Sequence, residues 1–140
     1  MTPCRSAGGV WLLPNELSSS FKQSETICRC GCGKNAMTEE VICIASILRM
    51  LVGHPLRVNS GFRCESYNKR IGGSPKSQHL TGNAMDLTVG VVDYDFNLLV
   101  RYAEQSGCRG LGKYKKKNFV HLDCRNDKAR WDGDATGGNG

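Results

Sequence analysis

Apolar residues recur at helical spacing in one stretch above all, at Val41, Ala45, Leu48 and Val52, with Ile44 and Leu51 beside them. Thr38 can cap such a helix, and Glu39 and Glu40 fall in its first turn, where the helix dipole favours negative charge. Gly53 and Pro55 stop it. Beyond that helix the pattern shortens. Residues 56–60 read as a strand, 65–71 as a short helix closed by Gly72 and Gly73, 74–81 as a loop and 83–89 as a second strand. Asp93 or Asp95 opens a further helix with Leu98, Leu99, Tyr102 and Ala103 on its apolar face, and Gly107 ends it. Strands are predicted near 108–114 and 118–124, joined by a Lys115-Lys116-Lys117 turn. Residues 1–20 lack periodicity and read as a loosely ordered lead-in, 21–131 as the domain, and 132–140 as a Gly-rich flexible tail. Helices mixed with short strands at hairpin spacing predict an α+β domain with a mostly antiparallel sheet and flanking helices.

Length and composition narrow this picture. The 140 residues suit one compact domain, and 39% hydrophobic against 23% charged residues exclude general disorder. The net charge of +6 draws the chain to polyanions. Lys113, Lys115, Lys116 and Lys117 gather at one hairpin tip with only Tyr114 among them, and no nucleic-acid signature appears. The tip reads first as a solvated turn and second as a contact for anionic cell-wall polymers; nucleic acid is not an expected partner. The apolar run at 41–52 is broken by Arg49 and is too short to span a bilayer. No secretory signal is visible, so synthesis in the cytoplasm is expected. A monomer is expected.

The segment 77–86, S-Q-H-L-T-G-N-A-M-D, carries candidate chemistry. Strand alternation turns Met85, Leu87 and Val89 to the core and Ala84, Asp86 and Thr88 to the other face. Gly82 lets the chain fold so that His79 approaches Asp86. In 119–123, F-V-H-L-D, the same alternation places His121 and Asp123 on one face. If the two strands are near neighbours, His79, Asp86 and His121 converge. Two imidazoles and one carboxylate make an open zinc site with water in the fourth position, where the metal lowers the water's pKa and polarises a scissile carbonyl.

The joint pattern resembles a known family. The run C-R-C-G-C-G at 28–33, V-N-S-G-F-R-C at 58–64, N-K-R-I-G-G-S-P-K-S-Q-H-L-T-G-N-A-M-D at 68–86, G-L-G-K-Y at 110–114 and F-V-H-L-D at 119–123 are similar to the zinc D-Ala-D-Ala carboxypeptidases and related M15-type peptidoglycan peptidases, phage endolysins included. The resemblance implies a small fold shared with the hedgehog signalling domain. It implies His79, Asp86 and His121 as zinc ligands, Arg63 as the arginine that binds or polarises substrate, and Ser77 as a residue on the substrate side that supports the site. The activity implied is hydrolysis of peptidoglycan stem peptides, by a D,D-carboxypeptidase or an endopeptidase. The substrate partners are peptidoglycan peptides, reached at the cell wall by phage release or on the virion.

One position departs from the pattern. Many members carry an acidic base three residues before the last histidine ligand; here that residue is Asn118, which cannot take a proton from water. Asp123, on the face of His121, is the expected general base, with support of a zinc-bound imidazole as its rival role. The departure, with the Cys-rich segment, keeps open a second reading: a non-catalytic metal-binding module, structural or nucleic-acid binding, that retains the fold. Of the eight cysteines, Cys28, Cys30 and Cys32 are spaced C-x-C-x-C rather than C-x-x-C. They read as free thiols or disulfides, with a second, structural metal as the minor alternative and Cys64 or Cys124 as further members. His54 reads as a complement to the preceding helix C-terminus.

Overall fold

The structure, a computed structural model, describes residues 4–5, 11–12 and 21–136. Most of the expected lead-in and residues 137–140 of the expected tail lie outside the described residues. Two short strands, β1 (Cys4–Arg5) and β2 (Trp11–Leu12), pair with each other. Helices α1 (Gln23–Thr26) and α2 (Glu39–Val52) follow, then β3 (Leu56–Ser60), α3 (Glu65–Arg70), β4 (Ala84–Val89), α4 (Phe96–Gln105), β5 (Gly110–Tyr114), β6 (Phe119–Asp123), β7 (Ala129–Asp132) and α5 (Gly133–Thr136). Strands β3 to β7 form one sheet in the order β3-β4-β6-β5-β7. Every pair is antiparallel except β5–β7, so the domain is α+β with a mostly antiparallel sheet.

The helix read at 38–53 is α2. Thr38 accepts a hydrogen bond from the Val41 amide, and Gly53 ends the helix in the left-handed conformation. Its buried face, with Val41, Ala45, Leu48 and Val52, packs on β4, β6 and α4. The side of the sheet it covers is apolar: Met85, Leu87 and Val89 from β4, Val120 and Leu122 from β6, and Leu111 from β5. Helix α4 starts at Asp95, which accepts from the Asn97 amide, and adds Leu99 and Ala103 to this core. Among the described residues no helix is long and apolar enough to cross a membrane.

Every residue of β4 is buried. The core takes one alternation, and Ala84, Asp86 and Thr88 point to the opposite face. The same split on β6 leaves His121 and Asp123 beside them. Residues 77–83 differ from the expected loop: Gln78–Thr81 form a 3-10 turn that Ser77 caps and that Gly82 closes at φ 70. A Cβ on Gly82 would run into the Ala36 carbonyl, so that position needs glycine for space as well as for conformation. Ordered structure also runs past Trp131. β7 pairs parallel to β5 and ends at Asp132, and the turn Gly133–Thr136 continues from it, with the Asp134 carboxylate accepting from the Lys116 amide.

Leu48→Ala empties a site with no exposure and should lower stability by about 2–5 kcal/mol. Met50→Ala, on the 60%-exposed side of the same helix, should change it by less than about 0.5 kcal/mol. Urea unfolding followed by circular dichroism reads both.

Candidate metal centre

Pairing of β4 with β6 sets Asp86 directly opposite His121. On the other flank β3 pairs with β4 through an irregularity between Val58 and Ser60, so Ser60 also lies opposite Asp86. Bulges of this kind re-aim the chain beside functional sites. The segment leaving β3 is tied to the 3-10 turn twice: the His79 ring donates from Nδ1 to the Gly61 carbonyl at 2.7 Å, and the Arg63 amide donates to the His79 carbonyl at 3.1 Å. Ser77 accepts from the His79 amide at 3.2 Å. His79, Asp86 and His121 are thereby brought together, with metal-ligating atoms within 4.8 Å of one another.

The tautomers follow from what lies on the outer side of each ring. A carbonyl can only accept, so His79 carries its proton on Nδ1 and presents Nε2 to Asp86 Oδ1 at 3.2 Å. His121 Nε2 lies 2.7 Å from Asp123 Oδ2, and Nδ1 faces Asp86 Oδ1 at 2.9 Å. Asp123 is itself clasped by Arg125, whose Nε and Nη2 donate to its carboxylate and whose amide donates to Oδ1. Asp123 therefore stays ionised and accepts from His121 Nε2–H. With only their outer nitrogens protonated, both rings would aim lone pairs at an ionised carboxylate oxygen. Such a contact needs positive charge between its members: two further protons, or one divalent cation of the same total charge. All three residues are buried, the imidazoles completely and Asp86 with 6% exposure.

The electrostatics agree. Burial alone would raise the Asp86 carboxyl, but His79 and His121 outweigh it and hold the group well below the usual carboxylate range. Burial likewise works against charge on His121, and Asp123 and Asp86 overcome it and raise its pKa. Burial also opposes ionisation of Asp123, and His121 with Arg125 pulls its pKa far down. The pocket is built to hold positive charge. Two nitrogens, one carboxylate and fixed outer hydrogen bonds match the donor set of a catalytic zinc site with one position left for water.

The remaining expected site residues fall as follows. Arg63 is buried, donating from Nε to Ser60, from Nη1 to Asn68 and from Nη2 to Asp86 at 3.5 Å. Ser77 is buried under the turn that carries His79. Asn118 is exposed, left-handed at φ 57, and its carbonyl accepts from Thr88 Oγ1. Asp123 is the residue expected as base or as support of His121. It lies across the imidazole of His121 from the side that faces Asp86, and Arg125 and His121 occupy both its oxygens. This geometry fits its rival role of orienting the histidine. His54 stacks edge-on against Tyr94 at 5.8 Å.

Two contributors escaped the sequence reading. Arg125 neutralises Asp123, and its guanidinium also lies 4.9 Å over the Trp131 ring. Trp131 covers His121 at 5.2 Å between ring centres and donates from Nε1 to the Tyr114 hydroxyl. The glycines of G-L-G on β5 make room for Trp131 and for the Asp123 carboxylate. A Cβ at Gly112 would sit 2.6 Å from the Trp131 ring, and one at Gly110 would strike the Asp123 carboxylate. An arginine two residues after an aspartate, in R-x-x-x-x-R-W, was the available signal.

A family model described as Peptidase M15 matches residues 18–123. A search of the curated proteins finds no match.

The orienting role predicts that Asp123→Asn weakens zinc binding by about 10–100-fold in competition with a chromogenic chelator. Unchanged affinity with lost turnover would return Asp123 to the role of base.

Proposed function

The chain belongs to the Peptidase M15 family, whose members use zinc, and from that premise we propose that it is a zinc-dependent peptidase hydrolysing the stem peptides of peptidoglycan, as a D,D-carboxypeptidase or endopeptidase of the phage-lysin kind. The observation that carries the metal part is the pair of outer hydrogen bonds, which leaves His79 Nε2 and His121 Nδ1 converging with Asp86.

In this reading His79, Asp86 and His121 hold the ion, the Gly61 carbonyl keeps His79 in its tautomer, and Asp123 with Arg125 keeps His121 in its own. Zinc held there supplies Lewis acidity, activating water and polarising a carbonyl. Arg63 uses three of its five N–H donors on Ser60, Asn68 and Asp86. The other two are suited to the terminal carboxylate of a short peptide, which guanidinium grips in a bidentate fork. Beside it, Glu65, Asn68, Lys69, Gly73, Pro75 and Leu80 line a shallow cavity of about 270 Å³ that suits a peptide side chain. Ser77 acts by fixing the turn under His79. Lys113, Lys115, Lys116 and Lys117 are all exposed, which suits docking on an anionic polymer.

One observation favours the non-catalytic reading: the position three before His121 holds an exposed asparagine, and Asp123 is committed to His121 and Arg125. Digestion of defined muropeptides, read by mass spectrometry, separates the two. The peptidase reading expects products that vanish on chelation, return with zinc and are absent for His121→Ala. A wild-type chain that loads zinc yet matches His121→Ala in yielding no product contradicts it. Wall binding should also fall as salt rises from about 0.1 M to 1 M, where the screening length shrinks from about 10 Å to about 3 Å. Retention that ignores salt would exclude the lysine tip as the docking surface.

A further inference from the structure

The C-R-C-G-C-G segment meets a fourth cysteine in space. Cys30 Sγ lies 3.5 Å from Cys28 Sγ and 3.6 Å from Cys64 Sγ. The sulfurs of Cys28, Cys30, Cys32 and Cys64 all fall within 4.8 Å of one another. They are free thiols, since a disulfide would bring a pair to about 2.05 Å. Metal–sulfur bonds of about 2.3 Å in a tetrahedron put neighbouring sulfurs about 3.8 Å apart, close to the two separations from Cys30 and inside the 4.8 Å that bounds the group.

The backbone is shaped to gather them. Gly31 and Gly33 take φ of 85 and 81, and the Cys28 amide donates to the Lys34 carbonyl, closing a tight loop around the three thiols. The Cys64 amide donates to Cys28 Sγ at 3.4 Å, a contact that favours a thiolate. Arg29 anchors the loop by donating to the Val58 carbonyl on β3. Cys108 and Cys124, by contrast, are buried apart from this group, and burial pushes the Cys124 thiol up to about 12. Cys43 is disulfide-bonded.

We propose that Cys28, Cys30, Cys32 and Cys64 bind a zinc ion as a closed structural tetrathiolate, distinct from the His79–Asp86–His121 centre. Four thiolates fill the tetrahedron, so this ion leaves no position for water and takes no part in hydrolysis. Its work is mechanical. Cys64 follows Arg63 and is the N-cap residue of α3, and Gly61, which orients His79, lies three residues earlier. The ion therefore staples the N-terminal loop to the segment 61–64 that borders the catalytic centre. The C-x-C-x-C spacing alone left this the minor alternative, because the fourth ligand is remote in sequence and could have been Cys64 or Cys124.

The test uses the full chain purified under reductant, with zinc content by mass spectrometry and cobalt substitution by absorption. Wild type should hold about two zinc ions, and its cobalt form should show the near-ultraviolet charge transfer that thiolate ligands give. His79→Ala with His121→Ala should hold about one and keep that band; Cys30→Ser with Cys64→Ser should hold about one and lose it. The wild type and the histidine variant decide the matter if the cysteine variant does not fold. A cobalt-loaded wild type without the band, or four thiols that titrate freely in the zinc-loaded protein, overturns the proposal. One zinc with the band upholds this site and removes the histidine centre; one zinc without it does the reverse.

Discussion

The hydrogen bonds on the outer sides of His79 and His121 constrain the rest of the centre, because each engages the outer nitrogen of its ring and turns the inner one to Asp86. A carboxylate and two imine nitrogens in mutual contact, all buried, are unstable unless a cation or its equivalent in protons lies among them. The supporting shell is equally specific. Arg125 balances the charge of Asp123 while it orients His121, and the imidazoles hold Asp86 ionised with Arg63 alongside. Two arginines offset the two buried carboxylates, and the lone pairs of the two rings still need a cation between them and Asp86.

The sheet delivers these groups with little freedom. A one-residue slip between β4 and β6 would exchange Asp86 for Met85 or Leu87 and turn His121 towards α2. The apolar alternation that packs Leu122, Val120 and Leu87 under α2 is thus the same device that fixes the metal ligands on the reverse face. Stability and ligation depend on one register. Trp131 closes the side beside His121, and Gly112 of β5 gives it room.

Much of this could be read from the chain. The helix between Thr38 and Gly53, the strand Leu56–Ser60 and the face shared by His121 and Asp123 rest on local periodicity and caps, which sequence displays directly. The nearness of β4 and β6 was a condition there, because pairing partners depend on topology and not on any one segment. β7 was missed: its four residues alternate half-buried and exposed, and Ala129-Arg130-Trp131-Asp132 carries too few apolar positions to announce a strand. The choice between the two roles of Asp123 was open for a similar reason. Sharing a face with His121 does not say which ring nitrogen it meets, and only Arg125 and the sheet geometry reveal that. The cysteine cluster was legible in three of its members, and the fourth was open between Cys64 and Cys124, which only the fold separates.

The most direct test of the central claim is anomalous diffraction at the zinc edge from crystals of the zinc-loaded chain. The account predicts a peak bounded by His79 Nε2, Asp86 and His121 Nδ1, with Asp123 still on His121 Nε2. No peak among those three side chains, or one ligated through the opposite nitrogen of either ring, would contradict it.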